Sequence, residues 1–125
     1  MQRKLFVAAA TAAVLWCCAA VSSGNESGNP YADAEHVQLG KKLYMSAGCI
    51  ACHGGNARGA VGPDLTDDEW LRPFSLQMVH DTIANGRSGT LMSPFKSDLT
   101  DEQIWSLVSY IIDEGRKRKE SAAAK

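Results

Sequence analysis

The sequence predicts an all-α fold of three to five short helices in one small domain. Apolar residues recur at helical spacing in three separate stretches, and the segments between these stretches are rich in glycine and proline. No stretch alternates apolar and polar residues as a half-buried strand does. The chain of 125 residues has room for one domain.

The first predicted helix occupies the stretch from Asp33 to Ala47. Val37, Leu43 and Tyr44 fall near helical spacing within it. Gly48 follows directly and suits a C-terminal cap, because glycine adopts the left-handed conformation in which helices commonly end. The cysteine motif described below therefore starts where this helix stops.

The middle of the chain reads as loops around one longer helix. Residues 53–65 hold several glycines and a proline, which predicts a loop. A short helical turn is expected around 67–70. A longer helix follows from about Ser75 to Asn85, and Gly86 closes it.

The last helix has the clearest signals in the sequence. Thr100 and Gln103 have the spacing of a capping box, in which each side chain bonds to the backbone of the other residue. We expect this helix to end at Glu114 or Gly115, and the basic, polar tail over 116–125 to be disordered. Its apolar stripe consists of Ile104, Leu107, Val108, Ile111 and Ile112.

The first 23 residues predict an exported protein. Arg3 and Lys4 precede an uncharged run over 5–21 that ends in small residues, so we expect a secretory signal peptide with cleavage between positions 20 and 24. Cleavage would leave a periplasmic protein without stable membrane insertion, and an uncleaved membrane anchor is the alternative. A lipoprotein signal is disfavoured, because bulky Trp16 stands where small residues are required. A polar, flexible linker is expected over 24–32.

Two cysteines and a histidine form the motif that predicts the chemistry. Once Cys17 and Cys18 leave with the signal peptide, Cys49 and Cys52 remain, and a bridge between them closes too small a loop to stabilise much. A zinc site needs a second ligand pair and a redox dithiol needs a βαβ pattern, both of which the sequence lacks. Cys-x-x-Cys-His is typical of covalent haem attachment, in which both thiols bond to the porphyrin and the histidine ligates iron.

We therefore predict one covalent haem c, held by Cys49 and Cys52 and ligated by His53. The short helices supply few large side chains for a domain of this size, and a haem would fill the core.

The second axial ligand is predicted to be Met92, which lies in an irregular glycine- and proline-containing loop. Met45 stands too close to the attachment motif to reach the opposite face of the ring. Met78 and His80 lie within a predicted helix, where such residues more often pack or face solvent. His80 is the main alternative to Met92, and an open sixth position is the next.

From Asp33 to Gly115 the chain resembles a mono-haem class I cytochrome c. The segment GPDL over 62–65 is similar to that family's Gly-Pro-x-Leu. The segments GTLMSPF and LTDEQIWSLVSYI are similar to its methionine loop and final helix. The resemblance implies the class I fold around the haem, and it implies that the Pro63 carbonyl accepts a hydrogen bond from the ring of His53.

The resemblance also implies a crossing between the first and last helices. Gly40 and Tyr44 resemble the small and aromatic pair at which these helices meet in the family. The available partners on the last helix are Trp105, Val108 and Tyr110.

Electron transfer is the function that the resemblance implies, so the protein is predicted to be an electron carrier and not an enzyme. Redox partner proteins would dock at the exposed haem edge beside Cys49 and Cys52. The favoured partner is a quinoprotein alcohol dehydrogenase that donates electrons, and the alternative is a terminal oxidase that accepts them. With an open sixth position, a gas-binding or peroxidase-type protein would result. We expect a monomer that binds no nucleic acid.

Charge is distributed unevenly along the chain. Residues 24–115 carry six basic and thirteen acidic side chains, a net charge of −7, whereas residues 116–125 carry a net charge of +4. An acidic domain would be steered towards a positively charged docking surface, with salt-sensitive encounters. The alternative is that these charges only maintain solubility.

Overall fold

The computed structural model describes residues 28–70 and 72–125, and these residues form four α-helices. The described ranges contain no strand, so the predicted all-α fold is confirmed. The predicted signal peptide and residues 24–27 of the predicted linker lie outside the described residues. No helix within the described ranges is both long and apolar enough to cross a bilayer. The helices are α1 (Ala34–Ser46), α2 (Cys49–His53), α3 (Leu76–Asn85) and α4 (Asp101–Ala123).

The helix boundaries follow the capping signals in the sequence. Asp33 caps α1 by accepting from two backbone amides, and Ser75 caps α3 by accepting from the amide of Met78. Both halves of the capping box at Thr100 and Gln103 are present at the start of α4. Local hydrogen bonding therefore decides where the three longer helices begin.

Helices α1 and α4 cross at a glycine. A Cβ atom added at Gly40 would lie 1.9 Å from the carbonyl oxygen of Ser106, so the two backbones are in direct contact. One turn further along α1, the ring of Tyr44 packs on Tyr110 with 5.1 Å between ring centroids. The predicted crossing is confirmed, with Tyr110 as a partner, whereas Ser106 was not among the predicted partners.

Trp105, another of the predicted partners, stacks on His80 of α3 with 4.4 Å between ring centroids. The two ring nitrogens of His80 lie 2.9 Å from a carboxylate oxygen of Asp101 and 3.1 Å from one of Asp81. His80 therefore joins α3 to the start of α4, with both nitrogens beside carboxylates.

The last helix continues to Ala123, so the predictions that it ends at 114 or 115 and that 116–125 is disordered are wrong. Arg116 and Lys117 pair with acidic residues three and four positions away on the same helix. Arg118 and Lys119 reach acidic residues in the loop over 64–68. The sequence alone did not reveal the pairs of Arg118 and Lys119, because their acidic partners lie about fifty residues away.

Two other local predictions are also wrong. Residues 67 and 68 form bends and residues 69 and 70 are irregular, so the expected helical turn is absent. Asn29 of the predicted flexible linker is only 3% exposed, and its amide donates to Ser109 Oγ at 2.8 Å. Because a buried amide needs hydrogen-bond partners, this contact ties residues 28–31 to α4.

An ion-pair cluster at the start of α1 makes stability depend on pH. His36 Nδ1 lies 2.6 Å from Asp33, and His36 Nε2 lies 3.4 Å from Glu102 on α4. Burial alone would lower the pKa of His36, but the hydrogen bonds that its ring donates to Asp33 and Glu102, together with their negative charges, outweigh burial and raise the pKa. Hydrogen bonds from the amide and the ring of His36 lower the pKa of Asp33.

We expect His36→Gln to destabilise the protein most between about pH 4 and 6.5. The raised pKa of His36 stabilises the fold fully below the ordinary histidine value, and this stabilisation is lost as pH rises through the raised pKa. The lowered pKa of Asp33 stabilises the fold above the ordinary carboxyl value, and this is lost as pH falls. Denaturant unfolding of both proteins between pH 4 and 9 measures the difference. A difference that is constant across this range contradicts the prediction.

Candidate haem-binding site

A cavity of about 490 Å³ lies between α2, α3, α4 and the loops that connect them. This volume is within the range typical of cofactor sites. Its walls are mostly apolar, which suits a flat and largely apolar ligand. The apolar side chains that line it include Leu65, Met78, Ile83, Phe95, Leu107 and Ile111.

The short helix α2 brings the cysteine motif to this cavity. Gly48, with φ of 84°, turns the chain out of α1, and α2 then presents Cys49, Cys52 and His53 to the cavity. Cysteines three positions apart lie on one face of a helix. Neither thiol is in a disulfide, and burial raises the pKa of the Cys49 thiol.

The ring of His53 is oriented by the loop that follows. Its Nδ1 lies 2.9 Å from the carbonyl oxygen of Pro63. Because a carbonyl oxygen only accepts, Nδ1 carries the proton and donates it, and Nε2 keeps its lone pair for a metal. The amide of Gly62 donates to the carbonyl of Cys52 at 2.7 Å, which holds the loop against α2.

The methionine loop is held against the end of α3. The amide of Arg87 donates to the Met92 carbonyl at 3.0 Å, and the Thr90 hydroxyl accepts from the Met92 amide at 3.2 Å. A Cβ atom at Gly86 would lie 2.6 Å from the Met92 carbonyl oxygen, so a side chain there would displace the loop. Met92 lines the same cavity as His53.

The alternative ligands lie in different positions. Met78 lines the cavity from α3, and its sulfur lies 3.7 Å from the hydroxyl of Thr82. His80 is joined to two carboxylates at the interface of α3 and α4, and Met45 is half exposed on α1. His36, the third histidine of the chain, lies between Asp33 and α4 at the opposite end of α1 from α2.

The residues at the cavity fit a haem. Two thiols, an imidazole with a free Nε2 and a thioether are the groups that hold and ligate a c-type haem. In the part of the chain that the structure describes, no group of three or more histidine, cysteine or acidic side chains could hold a metal ion alone.

Residues 35–111 match the family described as cytochrome c oxidase, cbb3-type, subunit III. The chain belongs to this cytochrome c family. Its members carry covalent haem, so the prediction of haem c is confirmed, and Cys49 and Cys52 stand in the attachment motif.

Two known cytochromes c and one solved structure are similar to this chain over most of its length. The chain is 31% identical over 93 residues to the cbb3-type oxidase subunit CcoP of Rubrivivax gelatinosus, covering 73% of this chain and 30% of that protein. It is 29% identical to cytochrome c-L of Methylorubrum extorquens, covering 73% and 54%. The structure of cytochrome cL from Hyphomicrobium denitrificans matches with a TM-score of 0.62 at 31% identity, covering 67% and 51%. The chain thus spans 30% to 54% of the length of these relatives. The match to the cytochrome cL structure confirms the class I cytochrome c fold.

The sequence did not predict that three further residues line the cavity. Met78 adds a second thioether, and Arg72 and Arg87 add two cations to the lining. Helical spacing places Met78 on the apolar face of α3 with Val79 and Ile83, but it does not reveal which buried residues face a cofactor. Arg72 and Arg87 lie in different loops and form no sequence motif, so the sequence did not indicate that both reach the cavity.

Proposed function

We propose that this protein is an exported one-electron carrier in which His53 and Met92 ligate the haem iron. The observation that carries this proposal is the shared cavity, which is lined by the attachment motif and by the methionine loop. When bound, haem c would accept and donate one electron at its iron, so the protein would make and break no substrate bond.

The chain's own residues would tune this site. Cys49 and Cys52 would hold the haem, and the hydrogen bond to Pro63 would keep the lone pair of His53 Nε2 directed at the metal. The apolar cavity wall favours the less charged state of the site, as His/Met ligation does. Arg72 and Arg87 would pair with the carboxylates of the haem, because guanidinium groups match carboxylate geometry.

Exposed apolar residues at the cavity form a candidate docking surface. Val61 is 78% exposed and Leu91 is 86% exposed, although both line the cavity. Exposed apolar side chains beside a redox centre suit brief contact with a partner. The basic end of α4 offsets part of the net charge of −7 over residues 24–115, which leaves −3 over residues 24–125, and this remaining acidic excess favours a basic partner surface.

The comparisons support two partner classes. Relatives named as cbb3-type oxidase subunits support electron delivery to a terminal oxidase. The relatives named cytochrome c-L, together with the class I resemblance, support a soluble acceptor for a quinoprotein dehydrogenase. Export to the periplasm, which the leader over 1–23 predicts, is compatible with both classes.

Replacing Met92 with alanine tests the ligand assignment. We expect loss of the weak long-wavelength charge-transfer band of the ferric protein, and carbon monoxide binding by the ferrous protein. We also expect a lower midpoint potential, by roughly 0.1 V or more within the roughly 0.8 V range that axial ligands span. Met78→Ala is the matched control, because it removes a thioether from the same cavity. If Met78→Ala abolishes the band and Met92→Ala does not, the assignment is wrong.

Stopped-flow mixing tests the partner class. The reduced protein is mixed with a purified cbb3-type oxidase, and the oxidised protein with a reduced quinoprotein alcohol dehydrogenase, at low and high salt. We expect fast electron transfer with one class and a rate that falls as salt rises. A slow reaction with both, together with peroxide turnover by the ferric protein, would contradict the carrier function.

A further inference from the structure

We propose that Arg118 is a positioning residue for the haem-ligating histidine. It would act by holding the turn over 64–66 that follows the Pro63 carbonyl. The inference rests on the proposed role of His53 as an axial ligand. It assigns a role to the last turns of α4, which the sequence alone did not identify as structured.

Arg118 closes a compact group of three side chains. Its Nη1 donates to Asp64 Oδ2 at 2.5 Å and to Thr66 Oγ1 at 2.8 Å. The other oxygen of Asp64 accepts from the amide and the hydroxyl of Thr66, both at 2.7 Å. Thr66 is only 3% exposed, so this group is part of the packed loop. One guanidinium nitrogen therefore holds both ends of the turn.

The turn is covalently continuous with the hydrogen-bond acceptor of His53. The carbonyl of Pro63 and the amide of Asp64 belong to one planar peptide unit, so a rotation at Asp64 reorients that carbonyl. The carbonyl oxygen lies 2.9 Å from His53 Nδ1. A Cβ atom at Gly59 would lie 2.9 Å from the Asp64 nitrogen, so this peptide unit is closely packed. Movement of the Asp64 side chain that rotates this peptide unit would thus change the hydrogen bond between the Pro63 carbonyl and His53 Nδ1.

Backbone hydrogen bonds hold the loop independently of Arg118. The amide of Gly62 donates to Cys52, and the amide of Leu65 donates to Ala57 at 2.8 Å. These bonds preserve the loop when Arg118 is removed, so we expect a change in histidine orientation without unfolding.

Charge gives a second consequence. Burial alone would raise the pKa of Asp64, but hydrogen bonds from Thr66 and Arg118 outweigh it and lower the pKa. The carboxylate therefore stays ionised beside the site, and Arg118 balances it. Without Arg118, this uncompensated negative charge would favour the oxidised iron and lower the midpoint potential.

Lys119 supplies a matched control on the same helix. Its Nζ lies 2.7 Å from Asp68, so Lys119→Gln removes one positive charge and one ion pair from the same segment. Asp68 is farther along the loop from Pro63 than Asp64 is. A general effect of losing charge or helix contacts would appear in both variants, whereas a positioning effect would appear only in Arg118→Gln.

The experiment measures proton exchange and potential in the reduced holoprotein. Proton NMR follows the exchange of the His53 Nδ1–H with solvent, and a redox titration gives the midpoint potential. We expect Arg118→Gln to accelerate exchange by about threefold or more and to lower the potential, while Lys119→Gln matches the wild type. Arg118→Gln with Asp64→Asn removes the pair without leaving a lone charge, so faster exchange in this double variant isolates positioning from electrostatics.

Equal exchange rates in the wild type, Arg118→Gln and the double variant would overturn the inference. Equal acceleration by Lys119→Gln would overturn it too, because the effect would then belong to the segment as a whole. The ring-current-shifted signals of a ligating His53 distinguish failure of this inference from failure of the proposed function. If the wild type lacks these signals, the proposed function fails; if it shows them and the exchange rates are equal, only the role of Arg118 fails.

Discussion

A variant with Cys49→Ala and Cys52→Ala is expected to lack covalent haem and to lose its stable fold. The cavity of about 490 Å³ borders on α2, α3 and α4, so without haem its walls would lack contacts. Because the cavity opens to solvent, its apolar walls would be exposed to water, at a cost that is large beside the roughly 5 to 15 kcal/mol by which a small domain is stable. Collapse of the loops reduces this cost, but it does not restore the helix contacts.

Haem staining of denatured protein and far-ultraviolet circular dichroism would measure these two losses. Met45→Ala is the control, because Met45 is half exposed and lies outside the cavity lining. We expect the control to retain haem and to unfold cooperatively like the wild type. A cysteine-free variant that shows native helical signal and cooperative unfolding without haem would contradict the prediction.

Replacing Gly40 with valine is expected to destabilise the holoprotein by roughly 3 kcal/mol or more. The added Cβ atom would lie 1.9 Å from the Ser106 carbonyl oxygen and 2.9 Å from Tyr110 Cβ. Backbone and Cβ atoms cannot rotate away, so α1 and α4 would have to separate. Since α1 leads into α2, this separation would also loosen the packing behind the attachment motif.

Guanidinium unfolding, followed by the absorbance of the haem, measures this effect. Gly115→Ala is the matched control, because Gly115 also lies within a helix and an added Cβ would meet nothing closer than 3.6 Å. Its expected result is unchanged or slightly greater stability, since alanine is the better helix former by about 1 kcal/mol. Equal unfolding midpoints for Gly40→Val and the wild type would contradict a close helix crossing.

The helix starts and the cofactor were predictable because their signals are local. A capping side chain at Asp33 or Thr100 bonds to amides two or three residues away, and this spacing is visible in the sequence. The attachment motif has the same property, because the five residues 49–53 contain both thiols and the imidazole. The family match then confirmed the haem that this motif predicted.

What the sequence alone determined, therefore, is the all-α fold and the covalent haem, whereas the crossing at Gly40 was expected only from the resemblance to class I cytochromes c. The tertiary structure decided that α4 continues to Ala123, that His80 binds carboxylates at a helix interface, and that Arg118 reaches Asp64. The physical reason is distance along the chain. The partners of Arg118 lie 52 and 54 residues away, and no local propensity or spacing records which loop a charged helix end will meet.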